Sequence, residues 1–550
     1  MFLLVQIEHK PFTEEMCWRK LYVIKTLKYV FLLLLAGNFY VGFSQPSFKP
    51  KTGAKIEILN ANSLEYDEST GKKAKKLIGN VQLKHDDALM FCDSAYIFSE
   101  TNTLNAYSNV KITQGDSLQL FGDSLSYDGN SKKAILRGNI RLINKDIILT
   151  TQFLDYDRIT NVAYYFDGGK MISRKEQDTL TSKRGYYHSE SQAVFFKENV
   201  VLKNPQYTIF SDTLKYQSQT ETVYFLGPTT IESNQNLIYT ENGWYNTTTN
   251  ISEFYGNSYL YSENRFIYGD SIYYNRELGV GKITCNAIIN DTTAKLEIHG
   301  DDVIMYEKKD SAIITKEALL MQFMDNDTLF MHADTFKIYT SYQKMIIQDS
   351  LALNQDSTTT DTIRNLLAYH NAKFFKSDMQ GKADSIVYNF ADSTVNFYTE
   401  PVIWSNENQL TADFIYLLLS NKEIHSIYLK EKAFIISKAD SLLPNFNQIK
   451  GENMVGYFLE KKLYKIEVNK QAETIFFAKD DAEKYIGVNK AFGNNMLIFL
   501  ADNTLKSVTF IKDPEGIFYP IKEPSPKDLI LKGFNWDESK KPMDKFGVFY

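Results

Sequence analysis

The chain has 550 residues, and its 61 Lys and Arg residues are interspersed with 67 Asp and Glu residues to give a formal net charge of −6. Because no basic patch stands out from this balance, we exclude a partner held by charge alone, such as a nucleic acid. Aromatic residues make up 14% of the chain, and together with frequent Thr and Ile they favour strands over helices.

Residues 1–44 have the layout of an N-terminal extension followed by a cleaved signal peptide. Basic residues precede the apolar run 29–36, and small residues before Gln45 predict cleavage after Ser44. The apolar part, about 15 residues, is shorter than the roughly 20 that cross a bilayer as a helix. Asn38 stands where a bacterial lipoprotein would carry its lipidated Cys. We therefore expect export to the periplasm, possible association with the outer membrane, and no retained anchor.

Residues 45–340 contain a pattern that returns about every 30 residues and is clearest between Asp123 and Leu142. Each copy has two segments of alternating apolar and polar residues joined by a polar turn, which is typical of a β-hairpin. Such a period indicates stacked repeats that bury their apolar faces on each other. Two columns of equivalent residues follow the repeats: Leu83, Ile112, Leu142, Ile172, Leu202, Ile231, Leu260 and Ile289, and Tyr66, Ile97, Tyr127, Tyr156, Tyr187, Tyr216, Tyr245 and Tyr274.

A Gly-Asn pair or an equivalent lies within the second strand of most repeats, as in Gly79-Asn80, Gly138-Asn139 and Gly168-Gly169. Glycine inside a strand usually marks a bulge or a sharp bend. If every repeat bends at this column, long strands form two sheets that meet along a crease. The sequence therefore predicts an all-β fold, an elongated twisted β-jellyroll or V-shaped β solenoid of about 14 repeats of ~30 residues, with both columns on the inner faces.

The spacing lengthens once, between Thr335 and Ser385, and the added residues include a polar tract. We expect residues 341–365 to form an exposed inserted loop. The repeats resume over residues 366–520, where Phe374 and Trp404 continue the column of Leu142. Residues 521–550 are rich in Pro and Lys, and we expect them to form a loosely ordered tail.

Acidic residues precede the Ser or Thr that opens many repeats, as in Asp93-Ser94, Asp123-Ser124 and Asp270-Ser271. Because they recur in nearly every repeat, a structural role is the simpler interpretation. The seven His residues are scattered, and neither HExxH nor CxxC spacing is found. We predict no catalytic residue, no metal site and no cofactor.

The succession from Asp123 to Asp128, followed by Ala134 to Leu142, closely resembles the organic-solvent-tolerance family (OstA-like, LptA type), in a long form of the Bacteroidota type. The resemblance covers roughly residues 55–515. Members of this family form a periplasmic β-jellyroll that conducts lipopolysaccharide toward the outer membrane. The resemblance implies a protein without enzymatic activity that binds lipid A acyl chains in an apolar trough and pairs with other jellyroll proteins of the transport bridge.

The candidate lining of that trough consists of the column residues. Periodicity alone leaves open that the same residues fill a closed core. Two other functions also remain open: a right-handed β-helix enzyme acting on polysaccharide, and a structural or adhesive β solenoid. The candidates for lipid contact are Leu83, Ile112, Tyr127, Leu142, Tyr156, Ile172, Leu202, Tyr216, Ile231, Tyr245, Leu260, Tyr274 and Ile289.

The two ends of a stack of strands expose unpaired edges, which either aggregate, are blocked, or accept another strand. The first strand, with Ile56, Ile58 and Leu59, alternates cleanly, whereas Pro520 and further prolines follow the last strand. We therefore expect the N-terminal edge to be the docking surface for a jellyroll of a neighbouring envelope protein.

Overall fold

The computed structural model describes residues 54–550 except 68–73, 115–117, 144–146, 175–177, 263, 348–356, 421–422, 440–444, 461, 481–483, 502–503 and 521–528. The predicted signal peptide in residues 1–44 lies outside the described residues. Over the described part, 36 strands pair antiparallel, and the helical turns include Glu307–Lys309 and Gly547–Phe549. None of the described helices has the length and apolar character needed to cross a membrane. The predicted all-β jellyroll is confirmed.

The described residues form two compact units, the first up to residue 174 and the second from residue 178. The strands of the first unit are β1 Glu57–Asn60, β2 Ser63–Asp67, β3 Ala74–His85, β4 Ala88–Phe98, β5 Thr103–Gln114, β6 Leu118–Asp128, β7 Lys133–Ile143, β8 Ile147–Asp157, β9 Val162–Tyr165 and β10 Gly169–Ser173. Each long strand pairs with the next one in the chain, and β3 also pairs with both β1 and β2.

The second unit repeats this hairpin order over more strands. They are β11 Thr179–Ser182, β12 Arg184–His188, β13 Ala193–Lys203, β14 Tyr207–Gln217, β15 Thr222–Ser233, β16 Asn236–Asn246, β17 Ile251–Ser262, β18 Arg265–Asn275, β19 Val280–Asp291, β20 Leu296–Tyr306, β21 Ser311–Thr315, β22 Leu319–Phe323, β23 Thr328–His332, β24 Thr335–Ile347, β25 Ser357–Lys376, β26 Met379–Asn389, β27 Thr394–Tyr398, β28 Val402–Ser405, β29 Asn408–Thr411, β30 Phe414–Ser420, β31 Glu423–Lys438, β32 Phe446–Leu459, β33 Lys462–Lys479, β34 Tyr485–Ala501, β35 Thr504–Ile511 and β36 Glu515–Pro520.

The described strands bend at the predicted column. In β7 the bend is formed by Gly138 and Asn139, with φ of 76° and 43°, and the pairing with β8 slips between Arg137 and Ile140. Two successive residues in the left-handed region thus divide the strand into two segments. The predicted crease is confirmed. Equivalent left-handed pairs are Gly79-Asn80, Ser108-Asn109, Asp167-Gly168, Glu198-Asn199, Gly256-Asn257, Cys285-Asn286, Lys316-Glu317, Thr399-Glu400, Glu431-Lys432, Lys470-Gln471 and Lys512-Asp513.

The residues next to the crease form a fully buried layer, which we call the crease layer. In the first unit it includes Leu77, Val81, Leu125, Leu136 and Ile140, each at most 2% exposed. In the second unit it consists mainly of large side chains that face each other across neighbouring strands. These include Phe196, Leu214, Phe225, Phe254, Ile283, Val303, Ile314, Phe336, Ile386, Phe397, Ile415, Leu429, Met454, Val468 and Met496.

Residues 341–365 differ from the predicted inserted loop. Strands β24 and β25 pair continuously, from Thr335 opposite Tyr369 to Ile347 opposite Ser357. The two flanks of this segment are therefore a long hairpin, and residues 348–356 lie outside the described part. Thr has a high strand propensity, so a Thr-rich polar tract can extend a strand even without an apolar face.

The C-terminal residues 529–550 differ from the predicted loosely ordered tail. Leu531 is buried against Phe434, Ile436 and Phe477 on one face of the last long strands. The side-chain oxygen of Gln448 accepts a hydrogen bond from the Leu531 N–H at 2.9 Å. This segment is held in place because a buried amide pairs with its backbone while its apolar side chains cover the strands.

Candidate functional site

The pairing register places most of the predicted lining residues on one face. Leu202 lies opposite Ile209, Ile209 opposite Ile231, and Ile231 opposite Ile238. Because directly opposite residues of an antiparallel pair point to the same face, these side chains form one continuous apolar row. The row continues through Leu260, Ile267 and Ile289. We call it the aliphatic column.

The tyrosines form a second row on the other segment of the same strands. Tyr187 lies opposite Val194, Val194 opposite Tyr216, and Tyr216 opposite Val223. Large and small side chains therefore alternate from strand to strand. The row continues through Tyr245, Ser252 and Tyr274. We call it the tyrosine column.

In the second unit both columns lie outside the crease layer, and most of their members between β13 and β19 keep part of their surface exposed, although Ile209 and Ser252 are buried. Leu202, Ile231, Leu260 and Ile289 are all half-buried, and so are Tyr216, Tyr245 and Tyr274. Farther along the aliphatic column the side chains are closed off from solvent, as at Ile298, Leu320 and Ile403. Accessible apolar lining in the second unit therefore includes the stretch between β13 and β19, and it resumes after Ile403 at the half-buried Leu410, Ile435 and Ile449.

In the first unit the same columns are packed more tightly. Leu83, Tyr127 and Leu142 are buried, whereas Ile112 and Tyr156 are half-buried. A small pocket brings members of both columns together, with a free volume of about 30 Å³, enough for one or two water molecules. Most of this part therefore resembles a closed core. The pocket is lined by Ala88, Met90, Ile112, Leu120, Tyr127, Ala134, Tyr156 and Arg158.

Ile172 does not belong to the aliphatic column. Leu142 lies opposite Leu149, and Leu149 lies opposite Met171, so Met171 shares the face of Leu142 and Ile172 points to the other side. The cause is the position of the bend, which is formed by Asp167 and Gly168 rather than by the predicted pair Gly168-Gly169.

Trp404 is displaced in the same way. The left-handed pair before it is Thr399-Glu400, and Ile403 rather than Trp404 lies in line with the column through Gly381 and Phe374. Trp404 is buried on the opposite face, where its Nε1 donates to Gln409 Oε1 at 3.3 Å.

Tyrosine hydroxyls of the second column find polar partners. The Tyr245 hydroxyl donates to Asn250 Oδ1 at 2.8 Å, and the Tyr274 hydroxyl donates to Glu307 Oε2 at 2.5 Å. Burial and the neighbouring Glu307 carboxylate raise the pKa of Tyr274 to about 12. These rings can therefore line an apolar wall while their uncharged hydroxyls remain hydrogen-bonded.

The predictions from sequence missed a row of buried hydroxyls in the crease layer. Ser211 bonds to Thr229 at 2.7 Å and Thr240 to Ser258 at 3.0 Å. Thr240 also donates to the carbonyl of Asn242 at 2.6 Å. The bends interrupt the backbone ladder, and these hydroxyls supply hydrogen bonds there. These residues lie on four successive strands, β14 to β17, and this recurrence was the available signal.

The acids at the repeat openings lie along the crease and are spread from strand to strand. Asp123 Oδ2 accepts from Asn139 Nδ2 at 2.8 Å, and Asp93 Oδ2 accepts from Asn109 Nδ2 at 2.7 Å. Within the described ranges, no group of three or more His, Cys, Asp or Glu side chains is arranged to hold a metal ion. The geometry of these acids is that of structural hydrogen bonds.

The predicted docking residues lie on β1, at the start of the first unit. Ile58 lies opposite Leu83 and extends the aliphatic column, while Leu59 points the other way. Ile58 and Leu59 are 37% and 50% exposed, and Leu64 and Tyr66 on β2 are 56% and 53% exposed. Ile56 is half-buried, and its N–H donates to Asn102 Oδ1 at 3.1 Å.

Comparison with known proteins identifies a similar family. A family model described as OstA-like protein matches residues 53–212 and 198–270, which include the bends from Gly79 to Asn257. No curated protein matches the chain. OstA-like domains belong to a transport-bridge family, of the lipopolysaccharide or lipid type in general, and not to an enzyme family. Residues 53–270 are therefore an OstA-like region.

Proposed function

We propose that this protein binds lipopolysaccharide in the periplasm, holds lipid A acyl chains in an apolar trough, and bridges toward the outer membrane. The supporting observation is the pair of half-buried columns between β13 and β19, which lie above a fully buried crease layer. An acyl chain along these columns would remove further apolar surface from water, worth roughly 25 cal/mol per Å². The phosphorylated sugars would stay in water at the open side.

The closed-core interpretation fits other parts of the chain better. Between Ile298 and Ile403 the aliphatic column is buried by protein alone, so those side chains have no free face to offer a ligand. The proposal therefore concentrates lipid contact on Leu202, Ile231, Leu260 and Ile289 with the facing tyrosines. Leu83, Tyr127 and Leu142 contribute mainly to packing.

The second part of the proposal is docking of another jellyroll at the N-terminal edge. In the described part of the chain, β1 and β2 pair on one side only, with β3. Ile58, Leu64 and Tyr66 end their apolar rows and are exposed because no further strand covers them. An added strand would satisfy the free backbone groups and bury these side chains.

The last strands of the second unit have a similar edge. Strands β35 and β36 pair with β34, and Val508 and Ile517 are exposed. Pro520 ends β36, and proline cannot donate a backbone hydrogen bond to an added strand. This asymmetry supports docking at the N-terminal edge.

The proposal is tested by purifying the mature protein from its native envelope and identifying co-purified lipids by mass spectrometry. We expect glycolipid with lipid A-type acyl chains. Absence of glycolipid together with cleavage of surface polysaccharide would replace the proposal with the β-helix enzyme. Absence of both would favour a structural or adhesive solenoid.

A further inference from the structure

A cluster of polar side chains closes the pocket of the first unit, and we call it the lip cluster. It joins the turn after β3 to the turns that follow β6 and β8. Lys132 Nζ lies 2.8 Å from Asp86 Oδ2, and an Arg158 terminal nitrogen donates to Asp87 Oδ1 at 2.5 Å. The members are His85, Asp86, Asp87, Tyr127, Lys132 and Arg158.

Tyr127 lies at the centre of this cluster. Its hydroxyl accepts a hydrogen bond from Arg158 at 3.0 Å and donates to His85 Nδ1 at 2.8 Å. His85 Nε2 then donates to the Ala54 carbonyl at 2.8 Å. Both ring nitrogens of the buried His85 are therefore hydrogen-bonded to groups of the protein.

The hydrogen bonds of Arg158, in contrast, are incomplete. Its side chain is only 10% exposed, and its buried Nε has no hydrogen-bond partner. A guanidinium carries five N–H donors, and leaving one of them buried without an acceptor costs free energy. The same side chain lines the pocket beside Met90, Ile112 and Tyr156. The pocket thus combines an apolar wall with an incompletely satisfied cation.

We propose that Arg158 binds the acidic head group, a phosphate or carboxylate, of an amphiphile whose alkyl chain enters this pocket, and that the head group displaces Asp87. This inference rests on the proposed function and assigns a head-group site to the trough. Guanidinium groups pair well with phosphate and carboxylate oxygens because two N–H donors can act in parallel.

Asp87, in the turn after β3, is the side chain that the head group displaces from Arg158. Its side chain is 61% exposed, and an ion pair with so much solvent access contributes little to stability. Asp86 is held by Lys132 and stays. Lys132 and Arg158 balance Asp86 and Asp87 in the closed cluster, so release of Asp87 leaves one net positive charge for the acidic head group. The pocket, with a free volume of about 30 Å³, must widen to admit an alkyl chain.

The test uses calorimetric titration of the full chain with four probes: dodecanoate, dodecyl phosphate, the neutral dodecyl maltoside, and inorganic phosphate. We expect both acidic amphiphiles to bind about tenfold more tightly than the maltoside, and inorganic phosphate to bind weakly. Equal affinity for inorganic phosphate and dodecyl phosphate would overturn the amphiphile assignment, since the site would then take a free anion.

Two variants locate the head group. Arg158→Gln should remove the tenfold preference for the acidic amphiphiles, and Asp87→Asn should increase their affinity severalfold because the competing carboxylate is gone. Asp87 is exposed, so its variant folds even if Arg158→Gln does not. Asp413→Asn, which removes the partner of Lys432 at 2.8 Å in the second unit, is the matched control and should leave the preference unchanged.

The outcomes separate this inference from the proposed function. Binding of all three amphiphiles with no preference, and no effect of Asp87→Asn, would overturn the Arg158 site and leave lipid binding in the trough intact. Failure of every amphiphile to bind, together with absence of co-purified glycolipid, would overturn both.

Discussion

The side-chain amide of Asn139 donates a hydrogen bond to Asp123 Oδ2 at 2.8 Å and ties two neighbouring strands together at the crease. Asn139 is the second residue of a left-handed pair, a backbone region that costs roughly 1–2 kcal/mol for residues other than glycine. Asn tolerates this region best and its short amide can reach the next strand. The same bond joins Asn286 to Asp270 at 2.9 Å, so the bend and the acid at the repeat opening form one structural device.

Replacing Gly138 with Ala should destabilise the crease more than replacing Gly168 with Ala. Both glycines have positive φ, 76° and 104°, but a Cβ at Gly138 would lie 2.4 Å from Asp123 Oδ2, whereas a Cβ at Gly168 meets nothing within 4 Å. The backbone strain is shared, at about 1–2 kcal/mol, and only Gly138→Ala also displaces Asp123 from Asn139. Hydrogen exchange of β7 and β8 amides measures the difference. Equal losses would show that Asp123 moves aside without cost.

Replacing Leu202 and Ile231 together with Asp should reduce the co-purified lipid about tenfold or more. Two carboxylates beside an acyl chain lose apolar contact and are removed from water. The free-energy cost of this change exceeds the ~1.4 kcal/mol that corresponds to a tenfold change in affinity. The matched control is Phe210→Asp with Thr230→Asp, because these residues lie opposite each other on the other face of β14 and β15, next to the altered lining. If the control loses as much lipid as the lining variant, the columns are not the binding surface.

A proline at Leu59 or Glu57 should abolish docking of a neighbouring jellyroll without unfolding distant repeats. Proline removes a backbone donor from the edge, and in a repeat array its effect stays close to the altered strand. Photocrosslinking from positions 55–60 measures the contact, with positions 510–520 as the comparison. Capture of an envelope protein only from 510–520 would reverse the direction of docking.

The bond between Asp86 and Lys132 should make the lip cluster sensitive to acid. The hydrogen bond from Lys132 is the largest cause that lowers the pKa of Asp86 below 3.8, and the charges of Lys132 and Arg158 add to it. A lowered pKa stabilises the folded state above the usual carboxyl range, and this contribution is lost as pH falls through the lowered value. The melting temperature of Asp86→Asn should therefore lie below that of the parent at neutral pH and meet it only at pH values below the usual carboxyl range. A difference in melting temperature that stays constant at those low pH values would contradict a stabilising role of the Asp86 carboxylate.

Replacing Gln448 with Ala should release the segment 529–550. Gln448 accepts from the Leu531 N–H and donates to the Leu529 carbonyl, at 2.9 and 2.8 Å, and leaving buried partners unsatisfied costs about 1–3 kcal/mol. Limited proteolysis should then cleave this segment faster. Gln380→Ala is the control, because that buried amide donates to Lys376 in its own turn. Equal protection of both variants would show that the apolar contacts of Leu531 suffice.

The repeat length, the strand character and the bend could be predicted because each depends on residues close together in the chain. The face of a given side chain depends on counting from the bend, and an error of one residue reverses it. In the structure the aliphatic column is the third residue after the left-handed pair, as with Asn139 and Leu142. Counting from Gly168 gives Met171, and counting from Glu400 gives Ile403.

Contacts between distant turns were out of reach of the sequence. His85 and Tyr127 are 42 residues apart, and Asp87 and Arg158 are 71 apart, so no local pattern links them. The burial of residues 529–550 was missed for a related reason. This segment is bonded by Gln448 and by Gln409, which donates to the Asn535 carbonyl at 2.6 Å, and both residues appear in sequence as ordinary polar positions of a strand. The Pro and Lys residues of that segment indicate a poorly ordered, soluble backbone, and they do not indicate the strands against which the segment packs.

The left-handed pairs also determine which insertions and deletions the chain tolerates. Loss of one residue between Asn139 and Leu142 would reverse the faces of the rest of that strand. Its apolar side chains would then face water, and its polar side chains would face the interior. Loss or gain at the turn tips leaves this count intact. A whole repeat contains its own left-handed pair, so adding or removing a complete repeat would leave the buried face of every other repeat unchanged. Related proteins could therefore differ in length by complete repeats.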